Sequence, residues 1–313
     1  MRRSISCFVL MLTALSIWLM ASGCLGGRVS SFAAPDYRQN MRDFVRAISS
    51  YGRGLDSDFI VIPQNGHELL TANGAEDGIP ATSYTAAING VGREDLFYGY
   101  DSDDTATPAD ERDYMIGFMN VAEQNGVEVL VTDYCSTQAF VDDSFAQSAA
   151  RNYISLAADQ RELDSVPAYP ADPYNVNNNN ITNLAEAKNF LYLINPDSFG
   201  GKQNFLDAVA ATNYDVLIID LFYDETELSS AEVASLKTKD NGGNRLVIAY
   251  MSIGEAESYR YYWQAEWTSS PPSWLAGENP DWPGNYKVRY WNAAWQDLIF
   301  GGNGSYTKKI IDA

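Results

Sequence analysis

Seven short apolar runs in this chain end in polar or aromatic side chains, and those endings are the residues whose chemistry is worth weighing first. Phe59–Pro63 runs into Gln64 and Asn65, and Val127–Asp133 ends on an acid. Tyr153–Ala158 meets Asp159, and Phe190–Asn195 ends on an amide. Asp215–Asp220 ends on an acid and is followed by Phe222 and Tyr223. Arg245–Ser252 leads into Glu255 and Glu257, and Lys287–Trp291 ends on Tyr290 and Trp291. Acids, amides and aromatic rings around one rim suit the cleavage of glycosidic bonds. One carboxylic acid protonates the leaving oxygen, and a second carboxylate acts as nucleophile or base. Asp220 is the leading candidate, because it follows the apolar stretch Val216–Ile219, and a carboxylate buried there needs a partner or a raised pKa. For any single acid the alternative is a helix cap or a salt bridge. Arg260, three residues after Glu257, fits an ion pair with it.

Chemistry of this kind needs a scaffold that carries all the endings to one side. The runs alternate with helical patterns at Met41–Tyr51, Glu111–Gln124, Phe140–Arg151, Asn204–Ala211, Ser230–Lys237 and Ala293–Phe300. Uninterrupted apolar runs such as Val216-Leu217-Ile218-Ile219 belong to strands buried on both faces, the mark of a parallel sheet. Alternation of strand and helix predicts an α/β fold, and a (β/α)8 TIM barrel places its site at the strand C-termini. About seven of the eight strands are accounted for, and the chain stops inside a helical pattern at Lys308–Ala313. The expectation is therefore an incomplete barrel over residues 37–313, open between Lys287–Trp291 and Phe59–Pro63.

Composition narrows the alternatives. The 313 residues carry a formal net charge of −20, which argues against a nucleic-acid partner, since phosphate binding needs a basic surface. Cys7, Cys24 and Cys135 are the only cysteines, so no disulfide framework is expected, and Cys135 reads as a small packing residue. His67 is the single histidine, which excludes a His-rich metal site. No metal or other cofactor is expected. Residues 1–24 read as a signal peptide, with Arg2 and Arg3 ahead of the apolar stretch Phe8–Met20. Ala21-Ser22-Gly23-Cys24 has the form of a lipobox, making Cys24 the expected lipidation site. Residues 25–36 read as a tether. The expected location is secreted, or lipid-anchored on the outer face of the cell membrane.

The segment Ala249-Tyr250-Met251-Ser252-Ile253-Gly254-Glu255-Ala256-Glu257, with Tyr259-Arg260, Trp263, Trp274, Asn279-Pro280, Trp282, Gly284-Asn285-Tyr286 and Tyr290-Trp291, resembles glycoside hydrolase family 114. Phe59–Glu68, Gly92–Tyr98 and Val129–Cys135 resemble its prokaryotic branch, which is similar to endo-α-1,4-polygalactosaminidase. The resemblance implies a TIM barrel cleaving α-1,4-linked galactosamine chains, a polysaccharide substrate and a monomer when full length. It also implies a circular permutation, because the block at Phe59–Asp159 follows the block at Asp215–Trp291 in those relatives. It further implies an eighth strand beyond residue 313 bearing one catalytic carboxylate, so that this stretch alone would be inactive. Asp133 matches the position of the family's second carboxylate and joins Asp220 as a catalytic candidate. Gln64, Asn65, Glu94, Asp95, Tyr223, Glu255, Glu257, Arg260 and Trp291 are the substrate-binding candidates. The rival reading is a non-catalytic carbohydrate-binding surface lipoprotein on the same scaffold.

Overall fold

The computed structural model describes residues 36–313; the expected signal peptide, Cys24 and all but the last residue of the tether lie outside that range. Helix α1 (Tyr37–Leu55) starts the described chain, its first turn capped by Asp36, whose carboxylate accepts from Gln39 N at 3.0 Å. The apolar stripe expected from the sequence, Met41, Phe44, Val45 and Ile48, is its buried face.

The chain then lays down α2 (Thr82–Thr85), β1 (Gly90–Glu94), α3 (Ala109–Gln124), β2 (Glu128–Tyr134), α4 (Gln138–Ala149), β3 (Ile154–Ala158), β4 (Phe190–Leu193), α5 (Lys202–Ala210) and β5 (Val216–Asp220). After a small hairpin of β6 (Phe222–Tyr223) and β7 (Thr226–Glu227) come α6 (Ser230–Leu236) and β8 (Leu246–Tyr250). Three short strands follow, β9 (Glu255–Glu257), β10 (Leu275–Glu278) and β11 (Asn285–Val288), and then α7 (Ala293–Phe300) and α8 (Tyr306–Asp312).

Strands β1, β2 and β3 pair in parallel, as do β4, β5 and β8. A parallel bridge between Ser155 and Asn189 joins the two sets. On the outer side of β1, residues 61–65 run parallel to it, with Gly92 N donating to Pro63 O and Asn65 N to Gly92 O, both at 2.9 Å. The result is a row of seven parallel segments in chain order, with helices in the crossovers except between β3 and β4, which a long loop connects. Pairing does not join β8 back to residues 61–65 among the described residues, so the sheet is open there.

Two sequence expectations change. Lys287–Trp291 is not a barrel strand: Asn285–Val288 runs antiparallel between β9 and β10 in a separate three-stranded cap. The seventh member of the row is instead Gly90–Glu94, which has one large apolar residue and so left no apolar run to read. The open side consequently lies between β8 and residues 61–65, not beside Lys287–Trp291. Both margins carry the mark of an edge. Every residue of β8 is partly exposed, whereas β1 and β3 are buried throughout. Behind this opening the helix layer is continuous: Phe44 and Tyr51 of α1 meet Phe300 of α7, with ring centroids 6.1 and 6.0 Å apart.

At the other end of the sheet, Lys239 and Asp215 form a fully buried ion pair at 2.9 Å. Lys239 Nζ also donates to Asn177 O, while the second oxygen of Asp215 accepts from Lys188 N and Asn177 Nδ2. This network ties the Asn-rich loop before β4 to the start of β5.

Candidate active site

Strand register decides which side chains share a face, because paired residues point the same way and the pattern alternates along each strand. Gln64 pairs with Gly92, and Glu94 pairs with Thr132. Tyr134 pairs with Ala158, and Asp220 pairs with Tyr250. Carrying this alternation across the Ser155–Asn189 bridge places Gln64, Glu94, Tyr134, Asp220 and Tyr250 on one face, all at the strand C-termini. Asp133 falls on the opposite face.

Glu94 is the centre of the first group. It is buried, one oxygen accepting from Tyr134 Oη and the other from Asn65 Nδ2. Asn65 in turn accepts Glu94 N at 3.1 Å through its own Oδ1. Burial pushes the Glu94 carboxyl above its ordinary value, opposed by the hydrogen bonds from Tyr134 and Asn65, while the Asp95 charge raises it further. Gly92 makes room for this arrangement: a Cβ there would lie 1.7 Å from Gln64 Oε1. Asn65 and Asp95 both take left-handed backbone conformations, φ 57° and 59°, turning the chain sharply as it leaves each segment.

Arg161, absent from the sequence candidates, braces the group from behind. It donates to Asp95 Oδ1 at 2.7 Å and Asp103 Oδ1 at 2.7 Å, with its guanidinium 4.3 Å from the centroid of the Tyr134 ring. It is a lone arginine in the loop after β3, with no pattern around it to advertise a partner.

Asp133 has a different environment. Its Oδ1 accepts from Phe97 N at 2.9 Å and Tyr98 N at 3.2 Å, and its Oδ2 accepts from Ser144 Oγ of α4 at 2.7 Å. It has no exposed surface, and burial pushes its carboxyl up to about 6. The side chain that holds the loop after β1 against α4 is thus turned away from the face on which Glu94 and Asp220 lie.

The second group forms around Arg260. Its Nη1 and Nη2 donate to the two oxygens of Asp220 at 2.9 and 2.6 Å, and its Nε donates to Glu257 Oε2 at 2.6 Å. The Glu257–Arg260 pair expected from spacing therefore exists, but it closes a turn rather than a helix and recruits Asp220 as well. Burial is the largest influence raising the Asp220 carboxyl, countered by the Arg260 charge. Tyr259 Oη donates to Glu257 Oε1 at 2.9 Å. Glu255 lies two residues before Glu257 on the same face of β9 and accepts from Asn279 Nδ2 at 2.9 Å. Its second oxygen is buried without a hydrogen bond, and burial raises its carboxyl. Tyr223 sits in the β6–β7 hairpin with its ring 6.1 Å from Phe205. Trp291 lies beyond the cap, exposed, and does not join either group of acids.

His67 packs edge-on to Phe118 and lies 3.3 Å from Arg93 Nη1 through Nδ1. Burial, then the Arg93 charge, lowers its pKa to about 3. The folded protein therefore binds fewer protons here than the unfolded chain, whose histidine titrates near ~6.5. Stability present above that pH is lost as pH falls from ~6.5 toward 3. Urea unfolding at pH 7 and pH 5 should show a steeper loss in the wild type than in His67→Gln; equal losses would contradict the assignment.

Among the described residues, three or more His, Cys, Asp or Glu side chains do not gather in a group able to hold a metal ion. A cavity lined by Val166, Pro170, Phe199, Ala208 and Tyr214 lies against α5 and contains none of the strand-end acids.

Comparison with known proteins supplies the context. An uncharacterised protein of Methanocaldococcus jannaschii is 36% identical over 160 residues, covering 50% of this chain and 43% of that protein. One from Deinococcus radiodurans is 44% identical over 100 residues, covering 32% and 31% respectively, and one from Thermotoga maritima is 35% identical over 104 residues, covering 33% and 31%. The chain thus matches less than half the length of each of these relatives. Residues 172–312, the stretch that contains Asp220, Glu255, Glu257 and Arg260, match the model of glycoside hydrolase family GH114.

Proposed function

We propose that this chain carries most of a glycoside hydrolase domain that cleaves a polysaccharide with two carboxylates. The family match over residues 172–312 carries this reading. Glu94 and Asp220 on one face of the parallel sheet support it, and these two take the catalytic roles. Glu94 is the proton donor: burial raises its carboxyl pKa, which favours the acid form that passes a proton to a leaving oxygen. Asp220 is the counter-carboxylate, oriented by the Arg260 fork, whose charge opposes the rise that burial causes. Asp133 positions the loop that follows Glu94. Gln64, Asn65, Glu255 and Glu257 line the approach.

The sheet is completed, in this reading, by one further parallel strand between β8 and residues 61–65, closing a (β/α)8 barrel. The two half-exposed margins support this. So do the buried hydroxyls of Ser305, Tyr306 and Thr307, which lack hydrogen-bond partners at the start of α8. An α-1,4-linked galactosamine polymer is the proposed substrate, supported by the motif resemblance and by a net charge of −20 that attracts a cationic chain. Export with lipidation at Cys24 would place the enzyme where such polymers lie.

The test is release of reducing ends by the full-length protein from the cationic polymer and from a neutral glycan. Release from the cationic polymer alone is expected. Release only from the neutral glycan would overturn the substrate. Saturable binding without release from either would favour the non-catalytic lipoprotein, a reading to which the full engagement of both Asp220 oxygens lends some weight.

A further inference from the structure

Helix α1 runs back along the sheet before residues 61–65 begin, so its first turn lies at the end where the strands finish. Helix α7 does the same after the cap. Contacts at both ends of the two helices agree: Phe44 and Tyr51 meet Phe300 far along each helix, while Tyr37 meets Trp291 at their starts. Tyr37 and Trp291 have ring centroids 4.8 Å apart, at the end of the molecule where the strands finish, since Arg42 in the same part of α1 donates to Leu69 O and Thr71 O just beyond residues 61–65.

Both residues are exposed, Tyr37 at 47% and Trp291 at 40%. Trp291 is the one exposed tryptophan among the described residues; Trp274 and Trp295 are buried, and Trp263, Trp267 and Trp282 are partly covered. The pair is also held in place. Tyr290 Oη donates to Tyr37 O at 3.0 Å, its ring meets Trp291 edge-on at 5.0 Å, and Gln296 Nε2 donates to Tyr290 O at 2.9 Å. The two rings are tilted 50° to each other rather than stacked face to face. A rigid apolar face with polar groups at its edge matches a pyranose ring, whose C–H bonds cluster on one side and whose hydroxyls project around the rim.

We infer that Tyr37 and Trp291 form a stacking platform for a sugar unit of a polysaccharide chain, one that reaches the rim from the acid-lined face. The inference rests on the proposed glycoside hydrolase reading and adds to it a binding subsite remote from the reacting bond. A single sugar would gain little from the platform, and a polymer would gain orientation across the strand ends.

The experiment uses the full-length protein carrying Glu94→Gln, so that polymer is not consumed, and follows tryptophan emission during titration with cationic α-1,4-linked galactosamine polymer and with a neutral glucan. The expected result is a saturable change in emission with one polymer. Trp291→Ala should remove most of that change and weaken binding about tenfold, and Tyr37→Ala should weaken it a few-fold. Trp291→Phe should retain most of the affinity. Thermal melting checks that the variants fold, and Trp291→Gln serves if the alanine variant does not. Binding by Trp291→Ala within about twofold of its parent overturns the platform. Wild-type hydrolysis alongside that result leaves the enzymatic reading intact, whereas absence of both binding and hydrolysis with every glycan overturns the two together.

Discussion

Glu94→Gln in the full-length protein is expected to lower kcat for glycan cleavage by about 10²–10⁴, the contribution of a positioned general acid. The amide keeps the shape of the side chain; its oxygen can still accept from Asn65 Nδ2 and its nitrogen can donate to Tyr134 Oη once that hydroxyl rotates, so folding should survive. It cannot supply a proton. Asp133→Asn gives the contrasting result. Its amide oxygen can still accept from Phe97 N and Tyr98 N, and its amide nitrogen can donate to Ser144 Oγ once that hydroxyl rotates. Activity within about threefold of wild type is expected, with a stability cost of about 1 kcal/mol. The comparison separates two carboxylates that are neighbours in the sheet but face opposite ways. If Asp133→Asn were inactive and Glu94→Gln active, the assignment of faces would be wrong. The pH profile adds a sign: loss of the proton from Glu94 should produce a falling limb as pH rises through its raised pKa, and Glu94→Gln should abolish that limb.

The second large effect concerns stability. Lys239→Met removes the cation from a pair in which neither side chain has exposed surface. What remains is Asp215 buried with only Lys188 N and Asn177 Nδ2 as donors. Stranding a buried charge costs about 3–5 kcal/mol. For a domain of this size that is a fall of roughly 10 °C in melting temperature. The double variant Lys239→Met with Asp215→Asn should recover part of the loss, because the stranded charge is gone while the donors keep an acceptor. A melting temperature unchanged by Lys239→Met would show that the pair is not a fixed part of the fold. Activity at low temperature should persist in this variant, since the pair lies at the end of the sheet away from the strand C-termini.

Much of this arrangement is legible in the sequence. The stripe Met41, Phe44, Val45 and Ile48 announces the buried face of α1, and the run at Val216–Ile219 announces a strand covered on both sides. The acid at the end of that run, Asp220, lies where a strand-end acid should. What failed to show has physical causes. Gly90-Val91-Gly92-Arg93-Glu94 has two glycines and two charges, and it is a strand because β2 and residues 61–65 pair with it on either side. Its glycine at 92 is needed for Gln64 to cross, which removes the very side chain that would have marked a strand. Lys287–Trp291 has the right residues for a strand, but residue types do not state whether the partner runs parallel or antiparallel. Asp133 and Tyr134 illustrate the limit most sharply. Alternation says that they point to opposite faces, yet both are fully buried, so nothing local reveals which of them meets the face that carries Asp220. Arg161 reaches Asp95 and Tyr134 only through the fold.

A crystal structure of the full-length Glu94→Gln variant with a bound oligosaccharide would test the central claim most directly. The account predicts the scissile linkage on the face shared by position 94, Tyr134 and Asp220, with the substituted amide beside the glycosidic oxygen and Asp133 still covered by Ser144 and the loop at Phe97–Tyr98. Sugar density against α5 in the cavity beside Val166 and Tyr214, with the strand ends empty, would contradict it.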